Sequence, residues 1–232
     1  MTSLTPAGGD DEDIVIVESR VQLQQLAEDG LLTGREMRGF AAAGIGLREA
    51  DLDGVTIERV NFQQVDFDAA RLENALLKSV DLRQAKWGNG LWNRVRFEEC
   101  DLTEIQLDGA ELVRCELGPA RMGRANFQRC KIQNTRFHEV ELYRADFSRA
   151  VLTKTSFLSY GNGTQSLNRV SFAGAALVEV ELAGTSMMNA DFSNALLVRC
   201  NLQGASLCEA NLKGAHFVGC DTRGADLDGA TT

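Results

Sequence analysis

The sequence predicts a solenoid, a chain wound through many short similar turns around one continuous core. Three observations predict it. Read in steps of five from Leu52 to Leu227, 36 positions form a column, apolar at all but Asn162 and Thr222. The column two places earlier, Ala50 to Ala225, also has 36 positions, and all but Tyr160 and Gln165 are small or β-branched. A five-residue period fits neither the turn of an α-helix nor the alternation of a flat strand, and self-similarity at one fixed period marks a repeat array.

The words that fill this register are specific: Ala50-Asp51-Leu52-Asp53-Gly54, Ala190-Asp191-Phe192-Ser193-Asn194, Ala210-Asn211-Leu212-Lys213-Gly214 and Ala225-Asp226-Leu227-Asp228-Gly229. They resemble the pentapeptide-repeat family, whose motif reads A-(D/N)-(L/F)-x-x, over about four-fifths of the chain. The resemblance implies an all-β solenoid: a right-handed quadrilateral β-helix with one pentapeptide per side and four per coil. The central Leu or Phe points inward and the small residue fills the corner beside it. The 36 repeats make about nine coils, a rod of roughly 43 Å at the ~4.8 Å spacing of paired strands.

Ahead of the repeats, residues 1–12 are small, polar and acidic, the composition of a disordered tail. Residues 13–46 read as an N-terminal strand and helical cap. Asp13 to Val17 forms the strand. Ser19 opens a helix to about Asp29, with Val21, Leu23 and Leu26 on its apolar side and Gly30 as its stop. Thr33-Gly34-Arg35-Glu36 has capping-box form and predicts a second short helix carrying Met37, Phe40 and Ala41, ending near Gly44. Such a cap has a physical role, because an open β-helix end presents unpaired strand groups and bare core.

Residues 47–232 are the repeat body, and two places disturb its wall. At 87–92, two tryptophans occupy inward positions with Gly90 between them, and the glycines there suit a bulge. At 158–168, Tyr160, Asn162 and Gln165 fall on inward columns, where unpartnered polar groups are costly. Both stretches are candidate loops. The last coil carries a polar interruption at Thr222 and is a candidate site for pairing with a second copy.

Composition excludes several function classes. No apolar run spans a bilayer, and Met1 to Gly9 has neither the basic head nor the apolar stretch of a secretory leader, so a cytoplasmic protein is expected, and the family resemblance implies a bacterial one. Of six cysteines, Cys100, Cys115, Cys130, Cys200 and Cys220 lie in the small inward column as substitutes for Ala, and only Cys208 lies off it. No metal and no cofactor is predicted. The net charge is -9, of which -5 falls on residues 1–46, leaving -4 across the body. That near balance argues against direct nucleic-acid binding and gives no uniformly acidic rod. His138 and His216 are far apart and outward, and the aspartates sit at a motif position, so no enzyme is predicted.

The outer faces remain. Residues twenty apart are expected to stack, which puts Leu158, Val178, Val198 and Val218 in one apolar column flanked by Ala176 and Leu196. The same rule stacks Arg129, Arg149 and Arg169, with Arg124 and Arg144 on a neighbouring corner. That ladder suits an acidic partner unless Asp146 and Glu139 neutralise it. These features predict a non-enzymatic protein–protein interaction scaffold. The resemblance supplies an alternative, a DNA-mimicking modulator or protector of DNA gyrase. Family members of that kind dimerise through a C-terminal helix and carry strongly acidic surfaces, features this sequence does not display.

Overall fold

The computed structural model describes residues 15–159 and 165–232. The expectations made for residues 1–12, for Asp13 and Ile14, and for Tyr160 and Asn162 lie outside the described residues. The described chain is a parallel β-solenoid of about ten coils.

Each pentapeptide builds one side in the same way. Its central residue is buried. Two residues later the backbone turns through the left-handed region, as at Arg59 (φ 52°), Asn74 (φ 47°) and Gly54 (φ 68°). That conformation costs a non-glycine residue roughly 1–2 kcal/mol, offset by hydrogen bonds to the next coil such as Gln64 N–H to Arg83 O at 2.9 Å. The Asp or Asn before the central residue has a structural task as well. Its carboxyl or amide oxygen accepts the backbone N–H two residues on, at 2.9 Å from Gln63 to Asn61 and 2.8 Å from Ser148 to Asp146.

Four sides of five residues close a coil, so each strand pairs in parallel with one twenty residues on: Leu77 with Phe97, Leu72 with Trp92. We name the sides after one coil: the Ile57, Phe62, Phe67 and Leu72 faces. The core is a single cluster running from Val17 to Leu212. Aromatic rings stack from coil to coil along the Phe67 face, Phe67 on Trp87 at 4.1 Å and Phe127 on Phe147 at 4.5 Å.

The N-terminal end is closed by strand β1 (Ile16–Val17) and helix α1 (Arg20–Glu28). The Ser19 hydroxyl caps α1 by accepting the Gln22 N–H, Leu23 is fully buried, and Leu26 and Ala27 pack on the first coil. The predicted second helix is not formed. Its place is taken by strand β2 (Glu36–Arg38), paired on one side with β1 and on the other with β3 (Thr56–Glu58). Two parallel ladders outweigh the local capping signal, and Leu32, Met37, Ala42 and Leu47 continue the buried five-step column. This is the extra coil beyond the nine expected.

The candidate loop at 87–92 also stays in the wall. Lys86 bridges Gln106, Leu91 pairs with Glu111, and both tryptophans are fully buried. Gly90 is required here for lack of a side chain, because a Cβ would collide with the Trp87 ring and lie 2.9 Å from Ala70 O.

At the second disturbance the register changes. Asp146 bridges Ser171, Val151 pairs with Ala176 and Ser156 bridges Glu181, all 25 residues apart, before the twenty-residue step resumes at Ala176 with Leu196. One extra pentapeptide length has entered between Leu158 and Gln165. Gln165 is buried but not unpartnered: its amide donates to Val140 O at 2.5 Å, and its carbonyl oxygen accepts the Val140 N–H at 3.3 Å. The side chain takes both hydrogen-bonding groups of a backbone residue.

Candidate interaction surfaces

Outward side chains stack from coil to coil in rows along each face and corner, and the insertion decides which residues share a row. The predicted column of Leu158, Val178, Val198 and Val218 is broken at its first member. Leu158 lies in a strand (Ser156–Leu158) beside His138 on the Ile57 face. Val178 instead stacks between Thr153 and Val198 on the Leu72 face, with Val218 next in line. The parallel row on that face is Lys131, Val151, Ala176, Leu196 and His216. Val151, Leu196 and Val218 are 46%, 41% and 53% exposed, so from Val151 onward the face is open and largely apolar, with Thr153 and His216 as its polar members. Val151 was missed in the sequence because it belongs beside Leu196 only after a five-residue shift.

The arginines regroup for the same reason. Arg169 does not follow Arg149. Arg144 N–H bonds to Asn168 O, which places Arg169 on the corner of Arg124 and Arg144. Arg149 N–H bonds to Ala173 O, so Gly174 is its neighbour. Two rows result, Arg124–Arg144–Arg169 and Arg129–Arg149, on the two edges of the Phe67 face. Their counter-ions differ from those expected. Arg124 pairs with Glu104 at 2.9 Å and Arg129 with Asp108, while Asp146 is held by the Gln128 amide at 2.5 Å. Glu139 sits on another corner, where its N–H bonds to Leu158 O. Arg144, Arg149 and Arg169 form no ion pair among the described residues, though Arg144 lies over the Tyr143 ring at 5.3 Å.

The remaining chemistry is structural. Burial pushes the Cys100, Cys115 and Cys200 thiols up to about 11 and the Cys130 thiol up to about 12. These thiols donate to carbonyls of the preceding coil, Cys130 to Leu107 O at 3.0 Å. Thr135 and Thr155 do the same from the same column. Among the described residues no group of three His, Cys, Asp or Glu side chains is arranged to hold a metal ion, and no helix is long and apolar enough to cross a membrane. The surface hollows are shallow. One of about 400 Å³ surrounds the corner at Pro119, lined by Glu99, Asp101, Arg121, Glu139 and Glu141.

A parallel solenoid with five-residue sides, a filled core and patterned outer rows defines a repeat protein whose chemistry lies on its walls. The chain belongs to the pentapeptide-repeat family: a model of the pentapeptide repeat region matches residues 91–160, and one of pentapeptide repeats in eight copies matches 47–84, 166–204 and 195–231. Among solved structures it is similar to HetL, a pentapeptide repeat protein involved in heterocyst differentiation regulation in Nostoc sp. strain PCC 7120. The identity is 21%, over 90% of this chain and 95% of that one, with a TM-score of 0.36. It is also similar to QnrB1, a plasmid-mediated fluoroquinolone resistance protein, at 18% identity over 84% and 92% of the two chains, with a TM-score of 0.42. No curated protein matches the sequence.

Proposed function

We propose that the protein is a non-enzymatic interaction scaffold of the bacterial cytoplasm that binds another protein through the side walls of its rod. The observation that carries this reading is the open apolar stretch of the Leu72 face, with Val151, Leu196 and Val218 exposed and Val178 and Val198 half-buried between them. A contiguous exposed apolar surface marks a docking site. Five cysteines held as buried or half-buried free thiols along the core column fit a reducing compartment. The test is co-purification of bound protein with the wild type and with a Val178→Asp/Leu196→Asp variant. Loss of the bound protein with an unchanged circular dichroism spectrum is expected. Retention at wild-type level would move the site off this face.

Self-association is part of the same reading. The exposed apolar row of Val151 and Leu196 would serve a second copy as well as another protein. Sedimentation at increasing concentration reports it, and a dimer abolished by Leu196→Asp would make the partner a second copy.

A second reading rests on the acidic corner. Glu99, Asp101, Glu139 and Glu141 gather around Pro119, with Arg121 the one cation lining the same hollow among the described residues. A DNA-mimicking modulator of gyrase would use such an edge. It spans only a few coils, and the wall next to it carries the Arg124–Arg144–Arg169 row, so the scaffold reading is preferred. Supercoiling and quinolone-cleavage assays with purified gyrase decide between them: inhibition or relief by stoichiometric protein would establish the second reading.

A further inference from the structure

The apolar stretch of the Leu72 face has a charged frame, and the frame says what kind of partner fits. On one edge stand Arg129 and Arg149. Arg129 is paired with Asp108, whereas Arg149 has no counter-ion among the described residues. On the other edge, Lys154 and Arg199 flank the single carboxylate of Glu179, at 4.0 Å and 2.6 Å. Both edges therefore carry excess positive charge on a protein whose net charge is -9. The surface between them is uncharged: Val151, Ala176 and Leu196 in one row, Thr153, Val178 and Val198 in the other.

Resting on the scaffold reading, we infer that the occupant is an acidic amphipathic helix of a partner protein. Its apolar stripe lies along the two rows, and its flanking Glu or Asp side chains reach Arg149 on one side and Lys154 and Arg199 on the other. Backbone pairing is not available to a guest strand lying on the rows from Val151 to Val198, because the strands Val151–Thr153, Ala176–Val178 and Leu196–Val198 already hydrogen-bond to neighbours on both sides. Recognition must therefore pass through side chains. The spacing also favours a helix. Successive coils repeat at about 4.8 Å, near the pitch of about 5.4 Å at which a helix presents one stripe, whereas same-side residues of a strand recur at roughly 6.7 Å. Apolar anchors three and four residues apart on the guest would then meet successive coils, the usual mode of helix recognition by a flat or grooved surface. Nucleic acid is disfavoured, since four cations against the two carboxylates of Asp108 and Glu179 leave a net excess of only two positive charges, too few for phosphate contacts, and the apolar rows would remain uncovered.

The test uses the full-length protein and fluorescence anisotropy with three synthetic peptides of identical length. One has leucines at helical spacing flanked by glutamates, the second has lysines in place of the glutamates, and the third is a sequence-scrambled version of the first with no apolar stripe. The glutamate peptide is expected to bind at least about tenfold more tightly than either other, from exposed ion pairs worth about two- to fivefold each added to apolar burial. An Arg149→Glu/Arg199→Glu variant is expected to invert the preference in favour of the lysine peptide, a result that simple loss of fold would not produce. Equal binding of the glutamate and lysine peptides would overturn the inference, as would equal binding of the scrambled peptide or no binding by any. Displacement of the glutamate peptide by a second copy of the chain would assign the face to self-association and also overturn it. The two readings fail separately. If the peptides fail while native protein capture still depends on Val178 and Leu196, only the helix is lost.

Discussion

The two ends of the Leu72 face share a core and differ in what they show to solvent. Inward, the column runs without a break from Leu72 and Trp92 through Leu112, Ile132 and Leu152 to Leu177 and Leu197, all fully or almost fully buried. Outward, the N-terminal part is laced by ion pairs, Arg71 with Glu73 at 2.9 Å and Lys131 with Glu111 at 2.6 Å, while the part beyond Val151 carries apolar side chains. A solenoid stores its stability in the inward columns, where every coil repeats the same solution, and leaves the outer rows free to vary. The difference between the two ends is therefore one of outer surface, not of core.

That comparison breaks first if the core is not uniform. Leu112→Ala and Leu197→Ala are each expected to destabilise by about 2–5 kcal/mol, measured by denaturant unfolding. Similar values support one continuous core. A much smaller cost for Leu197→Ala would show that the C-terminal coils unfold separately. Next in size is the junction. Gln165→Ala removes the amide that satisfies Val140 and should cost about 1–3 kcal/mol. Hydrogen exchange should quicken at the Val140 amide more than at Lys131, whose N–H bonds to Ala110 O at 3.0 Å. Equal protection at both sites would mean that the side-chain pairing is not what seals the wall.

The smallest effect concerns pH. The Arg83 guanidinium lowers the Asp81 pKa, the Arg71 guanidinium lowers that of Glu73, and Arg223 holds Asp221 down at about 2. A depressed carboxylate pKa contributes stability that is present above its unfolded value, roughly 4, and is lost as pH falls through the folded value. Acidification from pH ~5 towards ~2 should lower the melting temperature. The decrement should be modest and reduced by salt, because these pairs are on the surface. A melting temperature that rises on acidification would contradict the assignment of these pairs.

The repeat, its inward columns and the capping helix from Ser19 were legible in the residues, because each depends on neighbours close in sequence. The missed parts depend on partners far away. Thr33 to Glu36 reads as a helix start until Glu36–Arg38 is seen between two strands, although the five-step column could have been followed back through Met37 to Leu32. The glycines at 88 and 90 read as a loop until Trp87 is seen to fill the space that a Cβ would take.

The sequence by itself determined which side chains face inward and which face out, since that choice repeats every five residues. Only the tertiary structure decided which outward residues are neighbours, since stacking depends on a full coil of twenty. The additional pentapeptide length between Leu158 and Gln165 is invisible to the shorter period, yet it turns every later residue by one side of the rod. It parts Leu158 from Val178, joins Val151 to Leu196 by way of Ala176, and moves Arg169 beside Arg144. The physical reason is that burial constrains a pentapeptide's orientation but not its count, and the surface is assembled by the count.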